Sequence, residues 1–124
     1  MSASPCFKSF SITAAAAAKT IVKYTSNRGE VAPATAATDK IAGVIDMGAT
    51  GAGQMVDVAI DDVHEVTLGG TVAAGDPLTS DANSKAVAAT FTSGQMKHVI
   101  GFALVSGVAG DVIPFQVSKG VIAG

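Results

Sequence analysis

From Ile41 to the end of this 124-residue chain, branched and aromatic residues recur at every second position in short runs, and Gly, Asn or Asp cuts each run before it reaches the length of a helix. Val56, Val58 and Ile60 alternate with Asp57, Ala59 and Asp61, which puts the branched side chains on one face of a strand and two carboxylates on the other. Val66 and Leu68 alternate with Glu65 and Thr67 and stop at Gly69-Gly70; Val87, Ala89 and Phe91 follow the polar turn Asp81-Ala82-Asn83-Ser84. Ile100, Phe102 and Leu104 share one parity, as do Ile113, Phe115 and Val117, with Ser106 to Asp111 as the turn between them. No stretch sustains a 3.6-residue period, so the body is all-β, built of short antiparallel strands. Pro114 has no N–H to give a ladder, which predicts an edge strand or a bulge at that point.

Two segments look alike. Ile41-Ala42-Gly43-Val44-Ile45 leads through Gly53 to Val56 and Val58, and Val99-Ile100-Gly101-Phe102-Ala103 leads through Gly110 to Ile113 and Phe115, with spacings that differ by one residue. A hairpin duplication accounts for this. The first 40 residues differ from the rest, being dominated by Ser, Thr, Ala and Pro, with Phe7, Phe10 and Ile12 as their bulky apolar cluster and Ile21, Val22 and Tyr24 later. They predict an extended N-terminal arm over residues 1–19 ahead of a single β domain over 20–124. The alanines from Ala14 to Ala18 favour helix, but β-branched Thr13, Thr20, Ile21 and Val22 flank them and limit the expectation to one turn.

A chain this long supports one compact core, which would bury about two thirds of the surface its unfolded form exposes. The apolar fraction of 48% comes mainly from Ala and Val, so the core must be a thin layer of short, stiff side chains. Only 15% of residues are charged and the net charge is -2, which disfavours nucleic acid and anionic membrane as partners. The single Cys6 cannot form an internal disulfide, as suits assembly in a reducing compartment. Lys8 followed by Phe10 to Ala18 mimics a signal peptide, but Ser9, Ser11 and Thr13 interrupt the apolar run, and no stretch approaches the roughly 20 apolar residues of a membrane span.

The candidate chemistry is sparse. Gly48-Ala49-Thr50-Gly51-Ala52-Gly53-Gln54-Met55 has P-loop glycine spacing, but Gln54 and Met55 stand where Lys and Ser or Thr must meet the phosphates and Mg²⁺, so a hairpin loop is the better reading. Asp57, Asp61, Asp62, His64 and Glu65 form the densest set of acid–base groups; their spacing fits no metal motif and matches a strand running into a solvated turn. Asp81-Ala82-Asn83-Ser84-Lys85 starts like a calcium loop but lacks the Gly and distal Glu, and reads as a β-turn with Asx bonding. His98 precedes an apolar strand, and Cys6, set among Ser4, Pro5 and Phe7, has no base beside it in sequence to activate it; no G-x-S-x-G elbow occurs. The expectation is a protein with no catalytic residue, no metal and no cofactor.

Val31-Ala32-Pro33-Ala34-Thr35-Ala36-Ala37-Thr38-Asp39-Lys40 running into Ile41-Ala42-Gly43-Val44, then Glu65 to Asp81 with its Gly69-Gly70 and Gly75-Asp76-Pro77, and Val99 to Leu104 with Val108-Ala109-Gly110-Asp111-Val112-Ile113-Pro114, carry a recognisable order and spacing over about residues 20 to 119. The chain resembles the capsid decoration, or head cement, proteins of tailed bacteriophages. Gly75-Asp76-Pro77 and Gly110-Asp111 read as tight turns in which Gly takes positive φ and Asp bonds back to the main chain. Gln54 after Gly53, in place of an acidic residue, and Asn83-Ser84, in place of a Gly, depart from the pattern, and the second predicts a strained hairpin.

The resemblance implies a β-barrel or β-tulip-like body, a homotrimer at threefold or local threefold positions, and the major capsid protein as partner. The protein would be made in the host cytoplasm and sit on the outer surface of the virion, stabilising the expanded shell by mass action without turnover. On that reading Phe7, Phe10 and Ile12 of the arm contact the capsid. A mean hydropathy of +0.45 agrees with apolar surface covered by assembly. Two other readings stand beside it: the base domain of a head fibre, against which the lack of room for a shaft in 124 residues counts, and a small ligand-binding β-barrel, for which no convergent polar set is visible.

Overall fold

The computed structural model describes residues 6–61, 63–90, 94 and 96–123. Ten strands follow one another without a helix among the described residues: β1 (Cys6–Ile12), β2 (Ile21–Tyr24), β3 (Glu30–Pro33), β4 (Ile41–Ile45), β5 (Met55–Asp61), β6 (Val63–Thr67), β7 (Pro77–Ser80), β8 (Ala86–Ala88), β9 (Met96–Ala103) and β10 (Val112–Ala123). The first five close into a barrel in the order β1-β3-β2-β4-β5, and the last five form a sheet in the order β6-β10-β9-β7-β8. The all-β expectation holds.

The expected arm is corrected. Residues 6–12 are a barrel strand, antiparallel to β5 from Cys6↔Asp61 to Ser11↔Met55 and parallel to β3 at Ser11↔Glu30 and Ile12↔Val31. Phe10 and Ile12 point inward and are buried, with Ser9 exposed and Ser11 at intermediate exposure on the other parity. The partners of this strand lie up to some fifty residues along the chain, so its period-two pattern reads as a tail when the serines are taken as interruptions. The Ala14 to Ala18 run makes no helical turn either: Ala16 exchanges both backbone hydrogen bonds with Ala49 at 2.9 and 2.8 Å.

The duplication read from Gly43 and Gly101 extends over the ten described strands. Reading β6 to β10 as a repeat of β1 to β5 turns the open sheet order into the ring order of the barrel. Irregular hydrogen bonds repeat with it: Lys19 N–H to Ile45 O matches Gly75 N–H to Ala103 O, Ile45 N–H to Thr20 O matches Ala103 N–H to Asp76 O, and Ile12 N–H to Gln54 O matches Leu68 N–H to Asp111 O. The Ala16↔Ala49 bridge has its counterpart in Val72↔Gly107. Thr50 N–H donates to Gln54 Oε1 and Val108 N–H to Asp111 Oδ2, both at 3.0 Å, so Gln54 performs the turn-closing bond expected of an acid. Gly29 and Ser84 occupy the same left-handed position, with φ of 73° and 64°, which confirms the strained hairpin at Asn83-Ser84.

The two interiors also correspond, with volume exchanged between positions. Phe10, Val58, Ala42 and Ile45 fill the barrel, and Val66, Phe115, Ile100 and Ala103 stand at the matching places in the second half. Where one position loses an aromatic ring or a branched chain, another gains it, as a core of fixed packing density demands.

The halves differ in how they close. Parallel pairing of β1 with β3 seals the barrel. In the second half a single parallel bridge, Leu68↔Ala86, joins the corresponding edges. Beside that bridge the backbone of the first half enters the opening: Thr67 N–H donates to Lys19 O at 3.0 Å and Ile21 N–H to Ser84 O at 2.9 Å. Ser84 Oγ donates to Ala34 O at the same junction. Ile21, Ala34, Ile41 and Val44, on the outside of the barrel, thereby join the core formed by Val66, Leu68, Leu78, Ile100, Ile113 and Phe115.

Pro114 does not mark an edge, because β10 lies between β6 and β9. Its carbonyl accepts from Leu104 N–H at 3.2 Å, on the side where β9 has already ended at Ala103, so the missing donor costs no ladder bond. The register shift of β10 lies further on, between Val117 and Gly120. Leu104 falls in the loop, and Phe91, expected at the end of the β8 run, lies outside the described residues.

Gly43 and Gly101 share a φ of 155°, and a Cβ at Gly101 would stand 1.9 Å from Gln116 O, at Gly43 2.4 Å from Ala59 O. Backbone must move to admit any side chain there. Gly101→Ala is therefore expected to destabilise the fold by about 2 to 4 kcal/mol, read as a lowered denaturant midpoint at unchanged slope.

Candidate assembly surface

The residues singled out by sequence end in different environments. Phe10 and Ile12 are buried in the barrel and cannot contact a capsid; this corrects the expected contact set, of which only Phe7, 38% exposed, faces solvent. Asp57 is exposed and accepts from Ser9 Oγ at 2.8 Å, Glu65 is exposed on β6, and Asp62 lies outside the described residues. No group of three metal-ligating side chains occurs among the described residues. The Gly48 to Met55 segment is the β4–β5 loop, closed by Gln54 Nε2 donating to Thr50 Oγ1 at 2.7 Å, as a hairpin reading requires. Asp81 Oδ1 accepts from Asn83 N–H and Lys85 N–H at 2.8 and 3.0 Å, the Asx turn expected. Asp76 and Asp111 each bond back to the main chain three residues upstream, at Ala73 N–H and Val108 N–H. His98 lies within β9, where its N–H donates to Ala37 O and its carbonyl accepts from Thr79 Oγ1.

His64 is the exception to the solvated-face reading. It points inward from β6 and is only 6% exposed, because the Phe7 ring closes over it edge-on with centroids 5.3 Å apart. Its Nε2 has no hydrogen-bond partner among the described residues and lies 3.9 Å from Asp46 Oδ1, which Lys19 already holds in an ion pair. Burial, followed by the charge of Lys19, lowers the His64 pKa from its usual value, against the opposing pull of Asp46, Glu65 and a hydrogen bond with the Ile45 backbone. Asp46 is held below the ordinary carboxylate range, first by its hydrogen bond from Lys19. His64 is enclosed at the junction of the two halves, between Phe7 and the Lys19–Asp46 pair.

The surface offers more than these groups. On the outer face of the second half, Pro77, Val99, Phe102, Ser118, Lys119, Gly120 and Val121 line an open groove of about 260 Å³. Val99 is its buried floor, and Phe102 and Val121 form exposed rims, 43% and 47% accessible. The β10 bulge creates this relief, since it sets Ser118 and Lys119 on a strand segment that no longer alternates regularly. Lys119 is tied down: Nζ donates to Ala42 O at 3.0 Å and lies 5.7 Å from the Tyr24 ring centroid. A second apolar patch, Leu104, Val105, Val108 and Val112, is exposed on and beside the β9–β10 loop. Apolar surface of this kind is suited to protein contact and offers no reactive group.

Among solved structures, the N base of head fibre gp8.5 of bacteriophage phi29 matches with a TM-score of 0.71 over 93% of this chain and 95% of that one, at 18% sequence identity. The chain shares the fold of that domain. No family profile and no curated protein sequence matches it. At that coverage the likeness extends through both halves.

Sequence reasoning missed the groove because Phe102 sits in a run whose parity is read as one buried face. The available signal was Gly101, whose missing Cβ lets β9 approach the Gln116 backbone of β10 more closely than any side chain would allow, between the buried Val99 and the exposed Phe102.

The lowered pKa of His64 fixes the sign of a pH effect. The unfolded chain takes up this proton near pH 6.5 while the folded chain resists it, so stability is full above that pH and declines as pH falls toward the folded value, by at most about 1.4 kcal/mol per pH unit. The melting temperature is expected to fall as pH is lowered below 6.5, and His64→Gln to remove that decline; Asp39 and Asp46, with pKa values lowered from 3.8, act only at lower pH.

Proposed function

We propose that this chain is a structural protein of a tailed-bacteriophage particle, a base module that seats on the outer surface of the head by binding the major capsid protein lattice. It acts by occupancy, without turnover. The observation that carries this reading is the likeness to a head-fibre base over nearly the full length of both chains. That likeness also removes the argument from length, since a base of this fold fits in 124 residues.

The exposed loop patch of Leu104, Val105, Val108 and Val112 supplies a contact surface that replaces Phe10 and Ile12. In this role the protein is a homotrimer at threefold or local threefold positions. Binding the assembled shell alone would stabilise it over its dissociated subunits, which is the cement role. Anchoring a further structure requires the same binding without that stabilisation.

The test is co-sedimentation of the purified protein with heads of its own phage prepared without it. The protein is expected to pellet with expanded heads and to stay in solution with dissociated capsid subunits, and Val108→Asp to weaken pelleting at least tenfold. A rise in head melting temperature on saturation would assign the cement role, and an unchanged one the anchor. A protein that stays in the supernatant with intact heads would remove the reading altogether.

A further inference from the structure

The duplication relates the groove to a surface whose occupant is already known. Ile21↔Val44 and Val22↔Gly43 in the first half match Pro77↔Phe102 and Leu78↔Gly101 in the second. Ile41 matches Val99 by its place two residues before the shared Gly. The barrel face of Ile21, Ile41 and Val44 is thus the counterpart of the groove face of Pro77, Val99 and Phe102. In the first half that face is buried against the second half of the same chain. In the second half it is the open groove.

We infer that this groove is the self-association surface of the protein and receives the barrel half of a neighbouring copy. The groove is continuous with the interface between the halves, because Lys119 on its wall reaches Ala42 O and the Tyr24 ring across that junction. A partner seated there extends a packing mode that the chain already uses once. Its lining is apolar apart from Ser118 and Lys119, and the Lys119 ammonium is turned to Ala42 O and the Tyr24 ring, so the surface offered to a partner is chiefly apolar.

The contact joins two different surfaces, groove to barrel, so it is head-to-tail, and a closed ring satisfies every copy. Pro77 shapes it. Ile21 donates its N–H to Ser84 O, whereas Pro77 has none to give, and the edge that would accept it is sealed by Ser11↔Glu30. The neighbouring copy therefore docks on the groove by side-chain packing and does not insert a strand. This inference rests on the self-association proposed above but not on capsid binding.

Light scattering on the whole protein at micromolar concentration tests it. The wild type is expected at a multiple of the 12.2 kDa chain mass, and Phe102→Asp at the single-chain mass with an unchanged circular dichroism spectrum. Should Phe102→Asp not fold, Val121→Asp on the opposite rim replaces it. Thr71→Asp, exposed on the second half and outside the groove, is expected to keep the wild-type mass. A monomeric wild type, or a folded groove variant with the wild-type mass, overturns the inference. So does dissociation by Thr71→Asp. Co-sedimentation of the same samples with heads separates the two readings: a wild-type monomer that pellets overturns the groove assignment alone, and an oligomer lost with Phe102→Asp supports it whether or not heads are bound.

Discussion

The fold depends on the entry of residues 19 to 21 into the gap between β6 and β8. Two backbone hydrogen bonds, from Thr67 to Lys19 and from Ile21 to Ser84, satisfy edge groups that the second half would otherwise leave unpaired. The same segment carries Ile21 into the second core, where its burial contributes about 1.5 to 3 kcal/mol. Without it the second half would be a sheet curled around its core and held at the seam by one bridge. The neighbouring positions are matched to this entry: Ser84 accepts a left-handed backbone and donates to Ala34, and Lys19, itself at positive φ, pairs with Asp46 beside His64.

The strands were legible where both halves of an alternation were unambiguous. Val56-Val58-Ile60 and Ile113-Phe115-Val117 present one bulky face and one polar or small face, and both segments are strands with that face inward, Ile60 and its matching position Val117 at its margin. β1 has the same pattern in Phe10 and Ile12, but its partners are far along the chain, and a strand stabilised mainly by distant pairing leaves no local trace beyond its parity. The alanines after it were misjudged for a related reason. Helix propensity is a weak preference, and two backbone bonds to Ala49 outweigh it over so short a segment.

The site was less legible than the fold. Turn-closing groups such as Asp81, Asp76 and Asp111 act over a few residues, so their role can be read from spacing alone. His64 looked like a member of a solvated acidic face because its neighbours in sequence are charged; its burial comes from Phe7, which folding brings over it. The groove depends on a bulge and on a close approach of two strands, and neither alters the hydrophobic pattern. The resemblance to capsid decoration proteins was carried by the order and spacing of short Gly- and Ala-rich elements, and the β-barrel-like body it implied agrees with the closed barrel of the first half.

The exchange of volume between the two interiors has a consequence for how such a chain can change. Phe10 with Val58 and Val66 with Phe115 are alternative solutions to one packing problem, as are Ala42 with Ile45 and Ile100 with Ala103. Copying one residue from a half to its counterpart overfills or empties a core, and only the paired change preserves it. The two halves cannot be made alike again by single steps: once they had diverged through coupled substitutions, ancestral symmetry became inaccessible to them while remaining plainly visible in the backbone.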